Sequence, residues 1–399
     1  MKIAKISLAT LVALGAFSTV ASATPLEEAI KNVDLSGYAR YRYNNYAVTK
    51  KDSNGQKLNI TKAHHQFKSE FSFKAALDDN FFGVLTLRYN SNDSSAYNAD
   101  RRSDTTDTTS PFNVKEFYLG YKVGATTITA GKQTIGSFFT DDAVGTGVRV
   151  ENQDITGLTL TAFAFDALEN NNESDGDIYT NAPGIFNNNL YAVAAIGSYD
   201  PVSFQLWYAS LVDSVNLIIG DVNFSLDITD SVNVGARAQY AHADIDNDVG
   251  ANFKDTDFYA TELGTKLFGA DVAAGYIGYK VHDKANGFVS LEDQGSFIEV
   301  GEIKSALDYT ALQGRGNFWF LKGGYTFADK FRLGGEYSNG KVRDAANVKE
   351  KYQEYVARLS YDYSAKLQFS SFYAYEINKH QDSSKDKTKF LRFQAKYSF

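Results

Sequence analysis

Apolar and polar residues alternate along most of this chain with a period of two. Val33 to Tyr46 sets Leu35, Gly37, Ala39, Tyr41 and Tyr43 on one face and Asp34, Ser36, Arg40, Arg42 and Asn44 on the other. Phe67 to Leu77 and Tyr355 to Tyr363 do the same. That period belongs to strands with one oily and one wet face. The pattern predicts about 18 strands, with 16 as the alternative count. Their ranges are 33–46, 62–77, 81–92, 113–124, 126–134, 145–152, 157–167, 188–199, 202–211, 214–228, 231–245, 255–268, 270–282, 315–328, 331–342, 350–364, 366–379 and 386–399. Most reach the ~9–11 residues that a tilted strand needs to cross a bilayer.

Gap lengths alternate. Short turns such as Asp78–Asn80, Gly124–Ala125 and Asp200–Pro201 follow long gaps at 47–61, 93–112, 168–187, 246–254 and 283–314. Short turns on one side and long loops on the other are the pattern of an outer-membrane barrel. The connection near Leu211–Asp213 is an exception, being short where a long loop is expected. The predicted fold is all-β: a transmembrane antiparallel up-and-down barrel in which the apolar face meets lipid and the polar face lines the lumen. Its final strand, FLRFQAKYSF, carries Leu391, Phe393, Ala395, Tyr397 and Phe399 on the oily face. Closure requires the last strand to pair with the first, because an open edge in lipid leaves backbone groups unsatisfied.

The N-terminal stretch places Lys2 and Lys5 before an apolar run and ends in Ala21-Ser22-Ala23. This reads as a secretory signal peptide over 1–23, followed by one barrel domain over 24–399. Loss of Lys2 and Lys5 with the leader would take the net charge from −8 to −10. An acidic chain of this kind argues against a nucleic-acid partner and suits a surface that attracts cations. Cysteine is absent, which removes disulfides, thiol nucleophiles and thiolate metal sites. The 26 tyrosines and 29 phenylalanines cluster toward strand ends, as interfacial girdles do.

Several blocks in sequence order, among them SGYARYRY, FYLGYK, ITAGKQ, TDDAVGTGVRV, ITGLTLTAFAFD, LYAVAAIGSYD, LEDQG and GGYTF, resemble the major outer membrane porins of Campylobacter and its relatives. The resemblance runs from the leader to the final Phe, with divergent loops. It implies a trimeric, 18-stranded, weakly cation-selective general-diffusion porin in a Gram-negative outer membrane. It also implies that Phe399, with Tyr397 and Phe393, forms the signal read by the barrel-assembly machinery. The expected partners are small hydrophilic solutes, ions, lipopolysaccharide and outer-membrane lipid, in a homotrimer.

By the same resemblance, the segment TIGSFFTDDAV at 134–144 is the loop that folds into the lumen, with Asp141 and Asp142 at the constriction. It is shorter here than in the family. Alternation directs Arg40, Arg42, Lys68, Arg88, Arg358, Arg392 and Lys396 inward, so a basic wall would face the acidic loop and set up a transverse field. The competing reading pairs these cations with Glu70, Glu116, Glu354 and Asp362, which also face inward.

No cofactor is required. Calcium is a possible ligand of Asp141, Asp166 and Glu292, a set suggested by the resemblance and consistent with hard oxygen donors. The acidic run from Asp244 to Asp255 has glycine at the wrong place for a calcium loop and reads as solvated. Asn170–Asn172, Glu173, Asp175 and Asp177 read as another exposed loop. An enzyme barrel would need a Ser–His pair on the lipid face. Of His64, His65, His242, His282 and His380, only His242 combines lipid-face parity with an external strand end, and no seryl motif accompanies it. The alternatives to a passive channel are a surface adhesin or structural barrel, or a substrate-specific channel.

Overall fold

The structure, a computed structural model, describes residues 33–51, 54–95, 106–169, 188–250, 253–344 and 346–399. The leader and the 170–177 loop lie outside the described residues. The barrel strands are β1 (Val33–Lys51), β2 (Lys57–Ala76), β3 (Phe81–Ser95), β4 (Asn113–Val123), β5 (Thr126–Thr134) and β6 (Val144–Asn152). They continue as β7 (Leu158–Leu168), β8 (Leu190–Tyr199), β9 (Val202–Leu211), β10 (Val215–Thr229), β11 (Val232–Ile245) and β12 (Thr256–Leu267). The remainder are β13 (Ala270–Val281), β14 (Arg315–Phe327), β15 (Phe331–Arg343), β16 (Lys349–Asp362), β17 (Leu367–Lys379) and β18 (Lys385–Ser398). They form one 18-stranded antiparallel sheet. It closes through β1 and β18, in register from Tyr38 opposite Ser398 to Thr49 opposite Lys387.

Phe399 completes the seam. Its N–H donates to the Gly37 carbonyl and its own carbonyl accepts from the Gly37 N–H, both at 3.1 Å. Its ring lies 5.6 Å from that of Phe71. Gly37 has φ +155°, and a Cβ there would overlap the Glu70 carbonyl.

The outer surface carries the oily face. Leu119, Leu206, Ile218, Val222, Leu263, Leu321, Leu333 and Leu359 are all exposed on it. Aromatic pairs mark two levels of this wall: Phe331 with Tyr361 at 4.2 Å near the short turns, and Trp319 with Tyr337 at 5.1 Å toward the long loops. The short connection between β9 and β10 is real, since only residues 212–214 separate the two strands. The gap expected at 47–61 is not long. Strands β1 and β2 extend past the membrane span and leave 52–56 between them.

The expectation of a polar lumen fails on one side. From β7 to β14, the inward residues near the loop end include Phe163, Leu190, Trp207, Leu217, Ala241, Phe258, Ile277 and Phe320, all buried. Two loops fold into the barrel and cover them: 135–143 and 282–314. Ile135, Phe138, Phe139, Phe288, Val289, Leu291, Phe297 and Tyr309 from these loops join one hydrophobic cluster with the wall. Half of the lumen's outer end is therefore a dry core. The loop-end halves of β8 to β10 are apolar on both faces because one face meets lipid and the other meets the loops, whereas farther down the inward face of β10 turns polar at Asp221, Asn223, Ser225 and Asp227.

Candidate functional site at the lumen constriction

The two infolded loops are joined back to back. Leu291 N–H donates to the Phe139 carbonyl at 2.9 Å, and Ser296 N–H to the Phe138 carbonyl at 2.7 Å. Phe138 and Phe297 meet edge to face at 4.9 Å, and Phe258 on β12 packs against Phe297 at 5.0 Å and Tyr309 at 4.9 Å. Such pairs add to the stability that area burial alone supplies. Gly295, at φ +54°, lies so close to the Phe138 carbonyl that a side chain would overlap it.

Buried glutamates hold the loop backbones. Glu292 Oε2 accepts the N–H of Asp141 at 2.7 Å and of Ala143 at 2.9 Å, while Oε1 accepts the N–H of Asp142 at 3.4 Å. On the wall, Glu354 accepts the N–H of Glu302 at 2.7 Å and of Ile303 at 3.0 Å. Glu336 accepts from Gly301 N–H at 2.5 Å, and Glu376 from the Ser305 hydroxyl at 2.7 Å. Loop backbone inside a barrel has no ladder partner, and a buried donor without one is costly. The glutamates supply those acceptors.

The acidic tip of the first loop docks on the wall of β2–β4. Asp142 lies 2.9 Å from Lys68, 3.1 Å from Arg88 and 3.4 Å from Lys115. Arg88 also reaches Glu70 at 3.0 Å and Glu169 at 3.3 Å, and Lys115 reaches Glu70 at 3.1 Å. Burial raises the Asp142 pKa, but Lys115, Lys68 and Arg88 outweigh it and hold the carboxyl well below the usual carboxylate range. Glu292 goes the other way. Burial first, then the charge of Asp142, push it up to about 8, against the pull of the Ala143 and Asp141 N–H donors.

The predicted residues thus divide. Lys68 and Arg88 meet Asp142 directly, so these cations pair with the loop rather than face it across water. Asp141 is exposed to the lumen. Arg40, Arg42 and Arg392 line the closure seam on the inner face. Arg40 reaches Gln66 at 3.5 Å, Arg42 donates to Gln394 at 2.5 Å, and Arg392 donates to Asn44 at 2.7 Å and lies over the Phe390 ring. Arg358 pairs with Glu336 at 2.7 Å and Glu302 at 3.0 Å. Below the second loop, Arg358 and Arg392 border a lumen cavity of about 1110 Å³ that also presents Glu262, Asp271, Lys322 and Arg332.

Three features of the site escaped the sequence pattern. Strict alternation puts Lys115 outside with Phe117 and Leu119. The pairing of β3 with β4 slips between Thr86 and Leu87, and this bulge turns Lys115 inward. Glu169 lies just beyond β7, where strand parity gives no direction for its side chain. The long gap at 283–314, which the alternation of gap lengths places outside, is instead inside the barrel, and its run of Phe288, Val289, Leu291, Phe297, Ile298 and Val300 is the available signal of that burial.

Of the residues suggested for calcium, Asp141 and Glu292 meet, but through the Asp141 backbone N–H rather than its carboxylate. A second slip, between Thr146 and Gly147, leaves Asp166 unpaired at a bulge of β7 and exposed. The Glu292 oxygens are turned to backbone N–H groups. Among the described residues, no three His, Asp or Glu side chains form a group that could hold a metal. In the acidic run, Asp246 accepts the Asp248 N–H at 3.2 Å and Asp255 the Ile245 N–H at 3.0 Å. His242 shares Asp257 with His282, at 2.8 and 3.1 Å.

The model of the family described as the Campylobacter major outer membrane protein matches residues 1–399. A search of curated proteins finds no match. Among solved structures, the fold is similar to Pseudomonas aeruginosa OccK7 (OpdD), at TM-score 0.67 and 14% identity over 92% of this chain and 99% of that one. Pseudomonas aeruginosa OpdQ gives TM-score 0.65 at 13% identity, covering 92% and 99%. Acinetobacter baumannii OccAB3 gives 0.63 at 12%, also over 92% and 99%. At such identities the likeness is one of fold.

Proposed function

Because the chain belongs to the Campylobacter major outer membrane protein family, and is thus an outer-membrane porin, we propose that it is a passive, weakly cation-selective channel for small hydrophilic solutes and ions. The infolded loops would narrow the lumen, and solutes would descend their gradients without an energy source.

One observation carries the cation preference: at the loops the solvent meets carboxylates, while the cations that balance them are buried. Side-chain exposure is 10% for Lys68, 3% for Arg88 and 7% for Lys115, against 35% for Asp142. On the second loop, Glu299 is 53% and Asp293 38% exposed, with Lys304 between them at 24%. The charge of each buried cation is offset by the carboxylates it touches, so the carboxylates that remain open to solvent weigh most in the potential felt by a passing ion. Arg40 is opposite Lys68 in the register of β1 with β2, so Arg40, Arg42 and Arg392 stand on the same side of the lumen as the docked Asp142 rather than across from it.

The test is a planar bilayer under a salt gradient. The proposal expects open-channel steps, in threes if the trimer implied by the family resemblance forms, and a reversal potential of cation sign. Asp141→Asn with Glu299→Gln should move that potential toward zero while conductance persists. An anion-sign potential in the unaltered protein would sink the selectivity reading, and a correctly folded barrel without conductance would sink the channel.

A further inference from the structure

The outer wall of β14–β18 carries an arrangement that the pore does not use. Cross-strand register sorts its outward side chains into rows running around the barrel. Nearest the loops, Arg315 is opposite Arg343, which is opposite Lys349. In the next row, Lys341 is opposite Lys351, Lys351 opposite Lys379, and Lys379 opposite Lys385. All of these residues are exposed. Among the described residues, no carboxylate pairs with any of them, whereas the lumen cations Lys68, Arg88, Lys115, Arg237 and Arg358 are paired. Like charges directly opposite on a sheet destabilise it. Four cations in one row therefore weaken the bare barrel and call for an anionic counterpart.

Below the cations is a groove. Two rows farther down, Leu321, Tyr337, Tyr355, Tyr375 and Lys389 stand side by side in register. The row beneath is small: Gly323 opposite Gly335 opposite Ala357, then Tyr373. The step from aromatic side chains to glycines opens a trough of about 820 Å³ on the outer wall, lined by Leu321, Gly335, Tyr337, Tyr355, Tyr373 and Lys389. Its volume is in the range of well-formed ligand sites. It is apolar, and it opens at the level where aromatic residues mark the membrane interface. Lys341 stands four residues above Tyr337 on the same strand, about 13 Å at ~3.3 Å per residue.

A trough for a hydrocarbon chain beneath a row of unpaired cations fits a lipid with a negatively charged headgroup. The row of Lys341, Lys351, Lys379 and Lys385 crosses four strands, a span of roughly 14 Å at the ~4.8 Å strand spacing. One phosphate cannot bridge that distance, and a headgroup carrying two can. We propose that the outer face of β14–β18 is a binding site for a bisphosphorylated glycolipid of the outer leaflet, of the lipid A type, with one acyl chain in the trough and its phosphates on the lysine row. Basic residues at the membrane surface bind anionic lipids by the same physics. The bound phosphates remove the like-charge cost and fasten the seam-side wall to its leaflet. The site is on the outside of the barrel and goes beyond the channel reading, so conductance and lipid binding can fail independently.

The barrel would be placed in phosphatidylcholine nanodiscs doped with bisphosphorylated lipid A, its monophosphorylated form or phosphatidylglycerol at equal mole fraction, and lipids retained on release counted by native mass spectrometry. Preferential retention of the bisphosphorylated lipid is expected. Lys341→Gln/Lys351→Gln/Lys379→Gln should weaken it roughly a hundredfold, at about fivefold per cation, while single-channel conductance stays the same. Gly335→Leu, which fills the trough and keeps every charge, should weaken retention several-fold. Equal retention of phosphatidylglycerol, or a triple variant that binds as tightly as the parent, would overturn the site. Retention unaffected by Gly335→Leu would overturn the acyl trough.

Discussion

Glu292 and Asp141, 151 residues apart in the chain, are joined by a 2.7 Å hydrogen bond from the Asp141 backbone N–H to the Glu292 carboxyl. One loop thereby fixes the position of the acidic tip of the other. The lumen geometry thus depends on both loops together.

Removing that carboxyl should free the tip. Glu292→Ala leaves the buried N–H groups of Asp141 and Ala143 without acceptors, at about 1–3 kcal/mol each. We expect noisier single-channel currents with sub-states and faster proteolysis within 135–143, while the barrel's own unfolding temperature changes little. Quiet currents in this variant would show that the tip is held by Asp142 alone.

The selectivity should depend on alkaline pH through the same residue. Its pKa lies at about 8, above the ordinary 4.5. Its contribution to docking is therefore full below pH 4.5 and is lost as pH rises through about 8. Above that point a further negative charge also stands beside Asp142. Reversal potentials measured from pH 6 to 9.5 should become more cation-selective with a midpoint near 8, and Glu292→Gln should abolish the step.

Asp142 has the opposite sign. Its pKa is held below the ordinary 3.8, so its contribution to docking stands above pH 3.8 and fades as pH falls below it. Acid should release the loop tip from Lys68, Arg88 and Lys115. Asp142→Asn should reproduce that state at pH 7, with a larger shift toward anion preference than Asp141→Asn causes, because three buried cations lose one shared carboxylate and keep only Glu70 and Glu169 to balance them. Equal shifts from the two variants would contradict the arrangement.

The dry side of the lumen should behave like a soluble core. Phe139 and Phe288 are fully buried, and truncating a phenylalanine in such a core costs about 3–5 kcal/mol. Phe139→Ala should raise conductance and speed hydrogen exchange in 282–314 as well as in 135–143, since the loops share one cluster. Exchange that changes only in the mutated loop would show that the two fold independently.

Deleting Phe399 removes both hydrogen bonds to Gly37 and the ring against Phe71. The remaining seam from Tyr38 to Thr49 is intact, so barrels that do form should be close to normal in stability. The expected defect is in the yield of assembled protein in the outer membrane, read as heat-modifiable barrel per cell. Unchanged yield would remove Phe399 from the assembly signal.

How much of this was legible in the chain follows from what fixes each feature. Strand number, closure and the oily outer face could be read directly, because a period of two is a local property and lipid imposes it on every spanning strand. The inward direction of Lys68 and Arg88 came from the same parity. Lys115 could not be placed that way: a single bulged residue inverts parity, and a bulge is decided by pairing with β3. The burial of 282–314 was written in its apolar residues, but a loop that packs into a lumen and one that packs on a partner look alike until the wall of β7–β14 is in place. The pairing of Asp142 with three cations, the Glu292 contact and the basic rows on β14–β18 all join residues brought together by register. A closed barrel and its two faces are written strand by strand in the chain, since each strand carries that information alone. Which charges meet is settled only by folding, because opposing side chains across 18 strands depend on the register of every pair and on where the loops come to rest.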